Sequence, residues 1–235
     1  MEYIDKAILK LEALKAQDTQ FEIVAEHMLQ CLLNHNTIYF FGTGHSHMIA
    51  EEVYVRAGAF APFQAILIPE LMLHESPNKS TDIERLEGYG QIIFDQVGFK
   101  PGDMLIIISN SGRNAVPLQL CSLAKEIGVK TVAITSFKHS KNVSPRYLDK
   151  RLMDLCDIAL DNLTEIGDAE IKIHDTLSIA PLSTVTGSAI VNTLQVKLTH
   201  KLLEKGFEPE IFLSSNVEDT QRNKHLFEKH HGVKS

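Results

Sequence analysis

Cysteine is scarce in this 235-residue chain: only Cys31, Cys121 and Cys156 occur, an odd number set far apart, with no Cys-x-x-Cys pair. That excludes a disulfide framework and gives no thiolate pair for zinc or redox chemistry, leaving each thiol a small buried hydrophobe in a reducing compartment. Positive charge is also short. Lys and Arg number 23 against 30 Asp and Glu, a net charge of −7, and no basic block reverses the balance. A surface built chiefly to neutralise nucleic-acid phosphates or anionic lipid is therefore not expected. No apolar run approaches the roughly 20 residues of a membrane helix, and the start, Met-Glu-Tyr-Ile-Asp-Lys, lacks the basic start and continuous apolar core of a signal peptide. The expectation is a cytoplasmic protein with neither a nucleic-acid nor a membrane partner. Internal repeats, low-complexity segments and Pro/Gly/Ser-rich linkers are missing too, which argues against several domains. With 44% hydrophobic residues, a chain of this length buries a core without covalent staples.

What is present is an alternation of two patterns. Apolar residues at Ile4, Ile8, Leu11, Leu14, Phe21, Val24, Met28 and Leu32 recur at helical spacing, so residues 3–34 read as one long amphipathic helix or two. Their stripe must be covered by the core or by a neighbouring subunit. Continuous apolar runs follow at 38–41, 65–68, 104–108 and 131–134, with a weaker fifth at 158–160. Such runs suit strands buried on both faces of a parallel sheet. Between the third and fourth, residues 115–127 carry helical spacing and stop at Gly128. Pro181 opens a last long helix, with Gly206 beyond its end. The expected fold is α/β, a doubly wound parallel sheet with an N-terminal helical extension. Its parts are a helical segment at 1–34, the sheet domain at 35–206, and a tail at 207–235 belonging to the same domain.

In an open parallel sheet the ligand sits outside the carboxyl ends of the strands. Three of those ends carry small and hydroxyl residues: Gly42-Thr43-Gly44-His45-Ser46, Ser109-Asn110-Ser111-Gly112 and Thr135-Ser136. Backbone N–H groups in such loops, with the helix N-termini that follow, suit a phosphate or polyol. Gly42-x-Gly44 also raises a dinucleotide site, with Glu70 imitating the ribose-binding acid. The third glycine is absent, however: His47 stands in its place. No nicotinamide or flavin cofactor is expected. The histidines invite a metal hypothesis with His45, His47 and His74 as the first ligands to test. No nearby Cys or carboxylate completes the set, so no metal is assigned.

Phe41-Gly42-Thr43-Gly44-His45-Ser46 and the later Ile108-Ser109-Asn110-Ser111-Gly112-Arg113 resemble the sugar isomerase (SIS) domain of phosphosugar-binding proteins, over roughly residues 35–205. The resemblance implies a three-layer flavodoxin-like fold and a sugar phosphate held by Ser109, Ser111, Asn110 and Asn114. Gly44, His45, Ser46, Thr135 and Ser136 would complete the binding set. Asn114 departs from the Ser or Thr that many members carry there, but an amide can still donate.

Two enzymatic branches compete within that resemblance. Like phosphoheptose isomerase, the chain has acidic residues Glu51 and Glu52 on the helix after the glycine loop, and His200 in its last long helix. Asn192 stands where that enzyme typically has glutamine, and the partner carboxylate is replaced by Arg56, with Glu52 one turn earlier. An aldose-ketose isomerase needs a base to move a proton between adjacent carbons and an acid for the oxygens. Like N-acetylmuramic acid 6-phosphate etherase, the chain reads Ser111-Gly112-Arg113, and Glu84 falls where that enzyme keeps an acidic catalytic residue. Glu87 lies nearby, and Glu70 is a possible second carboxylate. The catalytic candidates are thus His200, Glu84 and Glu52, with isomerisation the first expectation and ether elimination the second. A non-catalytic sugar-phosphate sensor is the third, though the segment before residue 35 is too short for the DNA-binding domain such regulators usually carry. The uncovered helix predicts a homodimer or homotetramer. The tail is expected to pack as a surface helix over about 218–230; otherwise it is an arm taking Asn216, Asn223 and His225 to a partner's site.

Overall fold

The computed structural model describes residues 1–216 and 221–232. Two helices lead in, α1 (Glu2–Leu14) and α2 (Asp18–Leu33). The sheet is then assembled from β1 (Ile38–Gly42), α3 (His47–Glu52), β2 (Phe63–Ile66), α4 (Pro77–Glu84), α5 (Tyr89–Val97), β3 (Met104–Ile108), α6 (Ala115–Glu126), β4 (Lys130–Thr135), α7 (Phe137–Lys141), α8 (Leu152–Leu155) and β5 (Ile158–Asp161). A hairpin of β6 (Ile171–His174) and β7 (Leu177–Ile179) precedes α9 (Ser183–Glu204), and α10 (Gln221–His231) closes the described chain.

The five strands pair in parallel in the order β2-β1-β3-β4-β5. The order reverses between β1 and β3, so this is where an open α/β sheet parts its loops to form a crevice. The period of two along β3 divides the core. Met104, Ile106 and Ile108 join α2, α3 and α9 on one face, while Leu105 and Ile107 join α5, α6 and α8 on the other. All five residues are buried. At about 1.5–3 kcal/mol for each large apolar side chain removed from water, this doubly covered strand anchors the domain.

The expected strands are all present, with one displacement. The second run, read as 65–68, pairs instead at Phe63–Ile66, because β1 fixes its register through Ile38 opposite Phe63. The helix expected after the glycine loop ends at Glu52, and Val55 then takes a positive φ of 48°. The hairpin at 171–179 was not foreseen. Of the N-terminal stripe, Leu14, Phe21, Val24 and Met28 are buried and Leu11 and Leu32 partly so, whereas Ile4 and Ile8 remain 49% and 55% exposed. The tail folds back on its own chain. Ile211 bridges antiparallel to Phe60, Phe212 and Leu226 pack on Ala61, and His231 Nε2 lies 2.9 Å from the Ala61 carbonyl. Residues 218–220 of the expected tail helix lie outside the described residues. No described helix is long and apolar enough to cross a membrane.

Candidate functional site

The end of β1 is shaped by Gly42. A Cβ there would lie 2.5 Å from the backbone carbon and oxygen of Ser46, so only glycine allows the chain to turn back this tightly. The turn closes with Ser46 N–H donating to Thr43 O at 3.0 Å. Gly44 adopts φ 55°, His45 is exposed, and Ser46 is half-buried with its hydroxyl free of protein partners.

The loop after β3 is more tightly determined. Gly112 N–H donates to Ser109 Oγ at 3.2 Å, Gly112 has φ 58°, and Leu152 N–H donates to its carbonyl at 2.8 Å. A Cβ on Gly112 would meet that of Leu152 at 3.1 Å. Asn110 is fastened from two sides. Its carbonyl accepts from Ser136 N–H and Thr135 Oγ1, and its Oδ1 accepts from Asn162 Nδ2 at 2.8 Å and Thr164 Oγ1 at 3.0 Å. Ser111 is left half-buried in the loop that leads into α6, with no partner for its hydroxyl among the described residues. Loop amides, that hydroxyl and the positive end of a 12-residue helix make a cradle whose chemistry suits an anion.

The expected binding residues therefore divide. Ser111 and Ser46 offer unpartnered hydroxyls, Gly44 backbone and His45 an exposed ring. Thr135 and Ser136 are fully buried. Their hydroxyls serve Asn110 O and Thr164 O, and Ser136 Oγ also caps α7 by accepting from His139 N–H. They brace the loop after β3, and no surface of either reaches solvent. Buried Ser109 likewise uses its oxygen to close the loop. Asn110 and Asn114 accept hydrogen bonds at Oδ1, leaving their amide NH₂ groups without protein partners.

Among the candidate acids and bases, Glu84 is tied to the glycine loop after β1. It stands at the end of α4 and accepts from Thr43 Oγ1 at 2.7 Å, which brings a half-buried carboxylate to the tip of β1, beside β3 and its loop. Glu52 lies at the seam of α3 and α9, ion-paired with Arg56 and accepting from Asn192 Nδ2 at 3.1 Å. His200 is not gathered with them: it is exposed, eight residues beyond Asn192, or about 12 Å along the helix. Glu70 lies beside Tyr89, whose hydroxyl is pushed up by burial and by that carboxylate. Glu87 is exposed. His47, at the position of the missing third glycine, is buried and contacts the Gly44 carbonyl through Nδ1; its ring centroid is 6.3 Å from that of His74. Among the described residues, no three His, Cys, Asp or Glu side chains converge as metal ligands.

Sequence reasoning missed the arginines. Arg146, in the connection from β4 to β5, donates through Nη1 to Asn114 Oδ1 at 3.0 Å, and its backbone N–H donates to Arg113 O. Arg113 donates to Ser144 O at 3.3 Å. The only signal for Arg113 was its place after Ser111-Gly112; Arg146 gave none, since 32 residues separate it from Asn114. Asn162 and Thr164, both buried, were also missed, because the fifth strand was read only to residue 160. A separate cavity of about 680 Å³ opens at the opposite end of the sheet, lined by Leu32, Leu33, Phe60, Leu202 and Phe207 among others. It contains none of these groups.

This arrangement defines an open, parallel α/β fold with its candidate site at the carboxyl ends of the strands. The SIS domain model matches residues 2–136, and the chain belongs to the SIS domain family. It is 42% identical over 209 residues to a UPF0309 protein of Halalkalibacterium halodurans, covering 87% of this chain and 86% of that one. Among solved structures it resembles a phosphoheptose isomerase from Francisella tularensis, with TM-score 0.55, 19% identity, and 85% and 95% of the two chains covered. It also resembles the NanR protein of Vibrio vulnificus, solved in complex with ManNAc-6P, with TM-score 0.50, 17% identity, and 87% and 64% covered.

Proposed function

We propose that the chain binds a phosphorylated sugar at the carboxyl ends of β1 and β3 and catalyses its aldose-ketose isomerisation, with Glu84 as the proton-transferring base. The observation that carries this reading is the Glu84 carboxylate, held 2.7 Å from Thr43 Oγ1 at the strand end adjoining an anion cradle. With the phosphate seated over Ser111 and the α6 N-terminus, the sugar extends toward β1. Isomerisation moves one proton from the carbon next to the carbonyl to the carbonyl carbon, while the hydroxyl proton of the first carbon passes to the former carbonyl oxygen, so one carboxylate can serve both carbon steps. Thr43, donating to Glu84, orients the carboxylate. The enzyme acts in the cytoplasm as a homodimer or homotetramer. The same carboxylate, beside Ser111-Gly112-Arg113, also suits ether elimination from an amino-sugar phosphate, and a sensor would bind without turnover.

The test is a thermal-shift panel of hexose, heptose and N-acetylhexosamine phosphates, each beside its unphosphorylated sugar, with nicotinamide dinucleotides as controls. At ~100 times Kd a native-state ligand adds about 2.7 kcal/mol, raising Tm by several degrees. Shifts from phosphates alone are expected. The stabilising sugar phosphate is then assayed for isomerisation and for loss of an ether substituent. Glu84→Gln should lower turnover by about 10²–10⁴-fold while keeping the thermal shift. Shifts from dinucleotides instead would overturn the phosphosugar reading, binding without turnover would favour the sensor, and full activity in Glu84→Gln would remove Glu84 from the chemistry.

A further inference from the structure

Six arginines occur in the chain, and their partners separate them sharply. Arg56 and Arg222 meet carboxylates, on Glu52 and Glu208. Arg151 donates to two backbone carbonyls, of Ser140 and Val143. The other three, Arg85, Arg113 and Arg146, pair with no acidic side chain among the described residues, although the chain carries an excess of acidic residues.

Those three share one neighbourhood. Arg146 is moored at Asn114, the residue that begins α6, and Arg113 follows the cradle glycine. Arg85 is next in sequence to Glu84, which the Thr43 hydrogen bond fixes at the end of β1. The Arg146 guanidinium is shifted below its ordinary value by partial burial and then by the positive charges of Arg113 and Arg85, with Glu84 opposing. The free site thus concentrates cations at the positive end of a helix. Such an arrangement is unfavourable until an anion enters it.

We propose that Arg146, with Arg113 and Arg85, forms an anion clamp over the cradle that selects the doubly charged phosphomonoester over a singly charged ester. This rests on the phosphosugar reading for the position of the anion, but reads only the charged ester and not the sugar. Cradle amides and the Ser111 hydroxyl donate to either kind of ester. Three guanidinium charges less the Glu84 carboxylate leave a surplus of two, which a phosphomonoester dianion neutralises and a sulfate monoester neutralises by half.

The probes are methyl phosphate, a dianion at pH 8 given a second pKa of about 6, and methyl sulfate, a monoanion. Affinities are measured by NMR titration of the full-length protein. The wild type should prefer the phosphate by about tenfold or more. Arg146→Gln, whose amide can still donate to Asn114, should lose most of that preference at unchanged Tm. Arg85→Gln, which removes an exposed side chain with no hydrogen-bond or ion-pair partner among the described residues, should lose about threefold. A structural role alone would weaken both esters equally and overturn the clamp. So would a wild type that binds neither ester, or variants that retain the full preference. If methyl phosphate binds through the arginines while no sugar phosphate stabilises the protein, the clamp stands and the phosphosugar reading falls. If sugar phosphates bind but the arginine variants discriminate normally, the reading stands and the clamp falls.

Discussion

At the scale of single residues, the site depends on positions where only one side chain fits. Gly42→Ala would place a methyl group 2.5 Å from the backbone of Ser46. Backbone cannot rotate away as a side-chain tip can, so the cost should reach about 3 kcal/mol, or roughly 6–12 °C in Tm. Calorimetry checks it, and a fall under 2 °C would show that the turn opens freely. Gly187 gives the contrast: its added Cβ would meet Ile49 Cδ1 at 2.3 Å, but that methyl is a flexible tip, and the loss for Gly187→Ala should be smaller. Thiol reactivity follows from burial in the same way. Cys31, Cys121 and Cys156 are all buried, and burial pushes the Cys31 thiol up to about 12. Iodoacetamide at pH 8 should therefore label none of the three in the folded protein and all three in urea; rapid labelling of the native state would contradict the packing. The glycine turns after β1 and β3 were legible in the sequence because special backbone geometry selects special residues. The burial of Thr135 and Ser136 was not, since hydroxyls suit a ligand and a buried turn equally well. Only the partners in space, Asn110 and Thr164, distinguish the two uses.

At the scale of elements, the strands were legible because parallel strands buried on both faces become continuous apolar runs. The hairpin was not: its residues 172–179 are exposed, so burial imposes no pattern on them. The connections from β4 onward matter most for the site and are tied by contacts between elements. On α7, half-buried His139 accepts through Nδ1 from Gly167 N–H at 2.6 Å, pinning the turn that leads to β6. This bond requires an unprotonated Nδ1. Burial and then the Arg113 charge lower the His139 pKa from 6.5, with Asp168 opposing. Because the folded value is the depressed one, this contribution to stability is complete above about pH 6.5 and is lost as pH falls through the folded pKa. His27 and His231, also lowered by burial, act with the same sign. Tm should drop between pH 7.5 and 5.5, and drop less in His139→Gln, which cannot titrate. An equal drop in both proteins would exclude His139 as a contributor.

At the scale of the whole molecule, the fold leaves apolar surface where the chain's own helices end. Ile4, Ile8 and Leu9 on α1 are 49%, 55% and 62% exposed, and Ile173, Leu177 and Ile179 on the hairpin are 54%, 46% and 50% exposed. Tyr3 Oη donates to Pro181 O at 3.0 Å, and Lys10 reaches Leu163 O and the Glu165 and Glu170 carboxylates. These contacts bring α1 and the base of the hairpin to one side of the domain. A two-stranded ribbon is marginal alone in water, and scattered apolar residues need no explanation but clustered ones do. The half of the N-terminal stripe that α9 does not cover is the half a second copy would bury. Light scattering should therefore give a dimer or tetramer. The double substitution Ile4→Lys with Ile8→Lys should shift it to monomer without loss of helical signal, because both side chains are already exposed. A monomeric wild type would refute the assembly. A monomeric double variant that still binds sugar phosphate with wild-type affinity would show that the strand-end cradle is complete within one chain, as the contacts among Ser109, Asn110, Thr135 and Thr164 imply.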